Sequence, residues 1–192
     1  MNHMSPQKIQ KAFTQILRQS QKTVPFSKMR KQHKYRNELL LFKRFYTLMS
    51  SLRLKGMRKG LDVGCSHGSC AVLGKLMGIE VIGIEKSPSK YEFTSHAYLK
   101  TLGLNFFYLD DSYPWQFEAN EFGFIIALFS LNKEWKYIDC DQHIKELSRI
   151  TRPRGMWVIE PKRMRKYTQT SGPVLEKNIQ VIGDGKACRV KL

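Results

Sequence analysis

The chain is 192 residues long, which fits one domain with a single hydrophobic core and leaves no room for a second full one. Its four cysteines (Cys65, Cys70, Cys140, Cys188) are scattered without a Cys-x-x-Cys pair or a histidine cluster, and its longest apolar run, FGFIIALFSL, is ten residues; a disulfide framework, a structural metal site and a bilayer-spanning helix are thereby excluded. The net charge of +17 is regional: residues 1–60 hold 15 Lys/Arg against one Glu (+14), residues 61–160 hold 10 against 13 (−3), and residues 161–192 hold 8 against 2 (+6).

Taken in chain order, Ser5-Pro6 supplies a helix start, and Ile9, Phe13, Ile16 and Leu17 follow at helical spacing until Pro25. This patterning favours a folded segment over a Lys/Arg-rich leader of mitochondrial type, and Met1 to Gln10 lacks the apolar core of a secretory signal. Asn37 can cap a second helix whose apolar face is Leu40, Leu41, Phe45, Leu48, Met49 and Leu52. From Gly60 onward short apolar runs alternate with helical patterns, the signature of a parallel sheet covered by helices. GLDVG, VIGIE, NFFYL, GFIIALF and MWVIE read as strands; SCAVLGKLMG, SPSKYEFTSHAYLKTLG and YIDCDQHIKELSRIT read as helices, with Gly78 and Gly103 as C-terminal caps. Between NFFYL and GFIIALF the expected helix is reduced to a loop around DDSYPWQFEANE, and Gly-Asp-Gly near the end predicts a β-hairpin.

The stretch KGLDVGCSHGSC, Lys59 to Cys70, sits where a strand turns into a helix and fits two chemistries. Gly64-Cys65-Ser66-His67-Gly68 has the Gly-x-Ser-x-Gly pattern of a hydrolase nucleophile elbow, with Asp110, Asp111 or Asp139 and then His143 in the right order for a triad. Against it, the 60 preceding residues are helical in pattern and no glycine-rich oxyanion loop precedes the turn. A nucleotide-type cofactor loop fits the same place, because backbone N–H groups and a helix N-terminus receive a ligand's negative groups there. A dinucleotide loop needs glycine where Ser66 and Ser69 stand, so that version fails.

A third pattern uses more of the residues. An acidic residue before a glycine-rich turn, Asp62-Val63-Gly64-Cys65-Ser66-His67-Gly68, is followed by Glu85 at the end of VIGIE and by Asp110-Asp111 ending NFFYL. In this order the chain from about Met57 to Arg163 resembles the class I S-adenosylmethionine-dependent methyltransferases, with Ser66 replacing the middle glycine of the first motif. FGFIIALFSLNKEW and ELSRITRPRGMWVIEPKR resemble the family's fourth strand, its following helix and the Pro-x-Gly turn into the fifth strand. The resemblance implies an α/β fold: a Rossmann-like, doubly wound, mostly parallel sheet with helices on both faces, preceded here by basic helices and ending in the hairpin. It implies S-adenosylmethionine as cofactor, held by Asp62, Gly64, Cys65, Ser66, Gly68 and Glu85, with Glu85 on the ribose hydroxyls and Asp110 or Asp111 on the adenine amino group. The end of the fourth strand faces the reacting methyl in the family, which singles out Ser130, Asn132, Lys133 and Glu134; Asn132 can orient a nucleophile and Glu134 can accept a proton.

Departures from the family narrow the substrate. Gly123 stands after Phe122 where an aspartate is usual, and no Asn/Asp-Pro-Pro-Tyr/Phe, Pro-Cys or Lys-Asp-Lys-Glu arrangement follows the fourth strand. The expectation is therefore a cytoplasmic, membrane-free enzyme of two parts, a basic helical extension (1–56) packing on a methyltransferase-like domain (57–192), without a metal. His67 is expected on an exposed part of the loop, and Cys65 and Cys70 as small buried residues. The basic ends, including KMRKQHKYR and PKRMRKY, point to a polyanion and to RNA first, with Tyr167 available to stack on a base. A small-molecule or protein methyltransferase, a catalytically silent RNA-binding domain, and a scaffold with a protein partner are the alternatives.

Overall fold

A computed structural model describes residues 4–21, 38–86, 88, 90–109, 113–127, 140–159, 180–183 and 186–189. The chain begins with α1 (Pro6–Gln21), whose first turn is closed by Ser5, the hydroxyl of which accepts from the Lys8 N–H at 3.4 Å. Ile9, Phe13 and Leu17 lie four residues apart and form one buried stripe, while Lys8, Lys11 and Arg18 stay exposed. In α2 (Glu38–Leu54) the buried face is Phe42, Phe45, Met49 and Leu52. Phe42, absent from the predicted stripe, joins the core through ring contacts with Phe13 at 5.7 Å and Tyr46 at 5.2 Å.

The central sheet is built from β1 (Lys59–Val63), β2 (Glu80–Glu85), β3 (Phe106–Tyr108), β4 (Phe122–Ala127) and β5 (Thr151–Ile159), in the spatial order β3-β2-β1-β4-β5 and parallel throughout. The connecting helices are α3 (Ser69–Leu76), α4 (Lys90–Thr101) and α5 (Cys140–Ile150). Their ends after α3 and α4 carry Gly78 and Gly103 at φ 71° and 74°, conformations that an L side chain rarely adopts. β6 (Gln180–Gly183) adds to β5 in parallel, and β7 (Lys186–Arg189) pairs with it antiparallel from Gln180↔Arg189 to Gly183↔Lys186.

Strand alternation divides the core in two. Phe106, Phe124, Ile126, Met156 and Val158 face the side covered by α1, α2, α3 and α4, whereas Leu61, Val63, Ile82, Ile84, Ile125 and Trp157 face the side of α5. This is a doubly wound sheet, as the sequence pattern implies. On the α5 side the missing helix between β3 and β4 is replaced by residues 113–121, which fill its space with the buried Trp115 and Phe117. That loop is tied down by α5: the Glu146 carboxylate accepts from the Trp115 N–H at 2.8 Å, and Arg149 donates to the carbonyls of Trp115 and Phe117 at 3.1 and 2.8 Å.

β5 is longer than MWVIE. It starts at Thr151, directly after α5, because Phe122↔Thr151 and Phe124↔Met156 both pair, so residues 152–155 swell into a bulge with Arg154 at φ 61°. The Pro-x-Gly turn is thus carried inside the strand. The basic clusters around 28–36 and 161–167 lie outside the described residues, as does Asn37.

Candidate functional site

β1 lies between β2 and β4, so the strand order reverses at β1, the switch point at whose carboxyl edge open α/β sheets receive their ligands. The turn that follows β1 is closed by backbone bonds: the Gly64 and Cys65 N–H groups donate to the Ile84 carbonyl at 2.8 and 3.1 Å, and the Gly68 N–H donates to the Cys65 carbonyl at 2.9 Å. Gly64 (φ 71°), Ser66 (φ 47°) and Gly68 (φ 77°) all take left-handed conformations. At Gly68 a side chain is excluded for a second reason, since a Cβ would lie 2.7 Å from the Phe106 ring and 2.9 Å from Leu99. Ser66 takes the same backbone region without glycine's freedom, a conformation that costs about 1 kcal/mol unless its surroundings enforce it.

Two carboxylates flank the turn. Asp62, next to last in β1, is only 7% exposed; burial pushes its carboxyl up from 3.8 to about 7, opposed by a hydrogen bond from the Cys70 thiol and helped by the nearby charge of Glu85. Glu85 ends β2 and holds the turn from below: one of its oxygens accepts from the Ser66 N–H at 3.0 Å, the other from the Lys86 N–H at 3.2 Å. Cys65 and Cys70 are buried, and burial together with the Asp62, Glu85 and Glu92 charges pushes the Cys65 thiol well above its ordinary range, so it is inert at neutral pH.

The structure therefore brings Asp62, Gly64, Cys65, Ser66, Gly68 and Glu85 to one rim of the sheet. Asp110, Asp111, Ser130, Asn132, Lys133 and Glu134 lie outside the described residues. His67 corrects the sequence reading: it is 3% exposed rather than on an open loop, because its Nδ1 meets the buried Ser95 hydroxyl of α4 at 3.1 Å and the ring packs inward. The nucleophile elbow also fails on geometry. The Ser66 hydroxyl donates to Glu92 at 2.9 Å, while the Nδ1 of His143, buried in α5, meets the Tyr113 hydroxyl at 3.1 Å. A carboxylate rather than a histidine thus engages the Ser66 hydroxyl, and no triad forms among the described residues.

Three contributors on α4 were not apparent from sequence: Glu92, Ser95 and His96. The available signal was their spacing, since 92, 95, 96 and 99 form one helical face, and the serine standing at a turn position where glycine is favoured. Among the described residues no group of His, Cys, Asp and Glu could hold a metal ion, and no helix is long and apolar enough to cross a membrane.

A family model for the methyltransferase domain matches residues 61–159, just over half of the chain and strands β1 to β5 from Leu61 onward, and the chain belongs to this family. Its methyl donor is S-adenosylmethionine. Among solved structures, the PH0226 protein from Pyrococcus horikoshii OT3 is 22% identical with a TM-score of 0.51, over 77% of this chain and 70% of that one. A candidate sarcosine dimethylglycine methyltransferase from Galdieria sulphuraria is 21% identical with a TM-score of 0.50, over 66% of this chain and 48% of its own length. This chain thus matches about half of the Galdieria protein, and both likenesses are likenesses of fold. No curated protein matches the chain by sequence.

The residues present suit this cofactor. The influences on Asp62 are burial, one thiol and a second negative charge, so an ionised carboxylate there is poorly stabilised and gains from a ligand's ammonium. Glu85 places a carboxylate, the group that accepts from a ribose diol, beside the turn, and the left-handed glycines let a ligand approach the backbone closely.

Proposed function

We propose that this chain transfers a methyl group from S-adenosylmethionine to RNA. The observation that carries the cofactor half is the pair Asp62 and Glu85 on either side of the left-handed turn: Asp62 suits the ammonium of the amino-acid end, and Glu85 suits the ribose hydroxyls. Asp110 or Asp111 is assigned to the adenine amino group on the resemblance alone. The bound sulfonium supplies an activated methyl that leaves with inversion to an attacking nitrogen, oxygen or carbon, so the protein's part is alignment and exclusion of water. Asn132 and Glu134 are the candidates to orient the acceptor and take its proton.

RNA is favoured by where the charge lies. α1 carries exposed Lys8, Lys11 and Arg18 and no acidic residue, Lys43, Lys55 and Arg58 are exposed further along, and the chain's last 32 residues add +6. Such clusters bind phosphates by releasing counterions, which makes affinity steeply salt-dependent. The test is transfer of label from methyl-tritiated S-adenosylmethionine by nuclease-treated protein to total cellular RNA. The proposal expects ribonuclease-sensitive label and RNA binding that weakens at least tenfold between 50 and 200 mM salt, the loss that ~2 phosphate contacts produce. Label only in the small-molecule fraction would move the acceptor to that class, and RNA binding without label would leave a silent RNA-binding domain.

A further inference from the structure

The cofactor turn is supported from outside by one face of α4, residue against residue. Ser66 has three polar groups and each has a side-chain partner: its N–H donates to Glu85, its hydroxyl to Glu92 at 2.9 Å, and its carbonyl accepts from His96 Nε2. One step on, His67 meets Ser95; one further, Gly68 packs under Leu99 and Phe106. Residues 66, 67 and 68 thus sit on 92 and 96, 95, and 99, which lie at i, i+3, i+4 and i+7 of the helix.

The chemistry of this contact fixes its protons. The Ser66 carbonyl can only accept, so His96 Nε2 carries the hydrogen and Nδ1 accepts from the Tyr108 hydroxyl at 3.2 Å. The ring is clamped by stacking on Phe106 at 4.2 Å between planes 5° apart, and it is fully buried. The Ser95 hydroxyl donates to the Ser20 carbonyl in the last turn of α1 at 3.3 Å, so its oxygen receives the His67 Nδ1–H and the turn is also anchored to the N-terminal helix.

We propose that Glu92 and His96 are positioning residues that hold Ser66 in its left-handed conformation and so preform the cofactor turn, replacing the intrinsic freedom of a glycine at this place with enforced geometry. The inference deepens the cofactor reading above and rests on it for its consequence in binding, while its structural content stands in the ligand-free protein. A glycine adopts φ 47° freely and has no hydroxyl for Glu92, so the Glu92 contact matters only while residue 66 has a side chain, whereas the His96 bond to the backbone carbonyl persists in either case. The expected signature is non-additivity between α4 and position 66.

The test is a pair of double-mutant cycles read by titration calorimetry with S-adenosylhomocysteine and by hydrogen exchange of the 64–68 amides without ligand. Glu92→Ala and His96→Leu are each expected to weaken binding about fivefold to tenfold and to speed exchange at these amides by a similar factor. In a Ser66→Gly background Glu92→Ala should weaken binding less than twofold, while His96→Leu, whose partner is the backbone carbonyl, should keep part of its effect. Glu92→Gln and His96→Gln, which keep an acceptor and an N–H donor, should restore most of the loss and guard against a variant that does not fold. Equal effects of Glu92→Ala in the serine and glycine backgrounds would overturn the proposal, since a merely structural α4 face loses the same stability whatever stands at 66. If the wild-type protein bound no cofactor, the function proposed above would fail; unchanged exchange in Glu92→Ala would then sink the positioning role and faster exchange would sustain it.

Discussion

Replacing Asp62 by asparagine should stabilise the ligand-free protein above pH 7 and at the same time destroy its capacity to be stabilised by cofactor. The carboxyl titrates near 3.8 in the unfolded chain and near 7 in the fold. The folded state therefore holds a proton that the unfolded state has lost, and stability present below about pH 4 declines as pH rises through 7. At ~1.4 kcal/mol per tenfold difference in proton affinity, the ceiling is about 4 kcal/mol. The wild-type profile conceals this, because buried His143 runs the other way: burial lowers it from 6.5 to about 4, so its contribution grows as pH rises across that window. Only the difference between wild type and Asp62→Asn, in which His143 cancels, isolates Asp62 together with its coupling to Glu85. Urea unfolding of both proteins from pH 4 to 8 should show the variant gaining on the wild type up to pH 7 and holding a constant lead beyond. Adding S-adenosylhomocysteine at pH 8 should reverse the order, since an ammonium against the ionised carboxylate offsets the burial penalty. Parallel curves without ligand would refute the environment assigned to Asp62, and equal stabilisation of both proteins by ligand would refute its role.

Gly68→Ala combines a left-handed backbone with a Cβ 2.7 Å from the Phe106 ring, and it should cost about 3 kcal/mol and lower the thermal midpoint by about 10 °C. Phe13→Ala empties a fully buried site between α1 and α2; chemical unfolding should show a loss of about 3 to 5 kcal/mol, identifying the N-terminal helix as part of the core rather than an appendage. Glu146→Ala takes the acceptor from the Trp115 N–H and the partner from Arg149, so about 2 kcal/mol should be lost and hydrogen exchange should accelerate at Trp115 before the strands open.

Much of this architecture was legible because parallel strands buried on both faces write themselves as short apolar runs, and because Gly78 and Gly103 mark where helices stop. The turn after β1 was legible from Gly64 and Gly68, whose residue type answers to left-handed backbone geometry, and Asp62 and Glu85 from their places at the strand ends beside it. What stayed hidden depends on contacts between segments distant in sequence. The extra length of β5 arises from pairing with Phe122, which no periodicity within TRPRG reveals. Trp115 and Phe117 look like loop residues until the face of the sheet they cover is known. His67 is drawn inward by Ser95, and Glu92 and His96 acquire their function only when α4 is laid against Ser66, 26 and 30 residues away in sequence.

The most direct measurement is titration calorimetry of the purified protein with S-adenosylhomocysteine, beside an Asp62→Ala, Glu85→Ala double variant whose fold is checked by circular dichroism. Micromolar binding by the wild type that the folded double variant lacks is the result predicted here. Absence of binding by well-folded wild-type protein, or undiminished binding by the double variant, would contradict it.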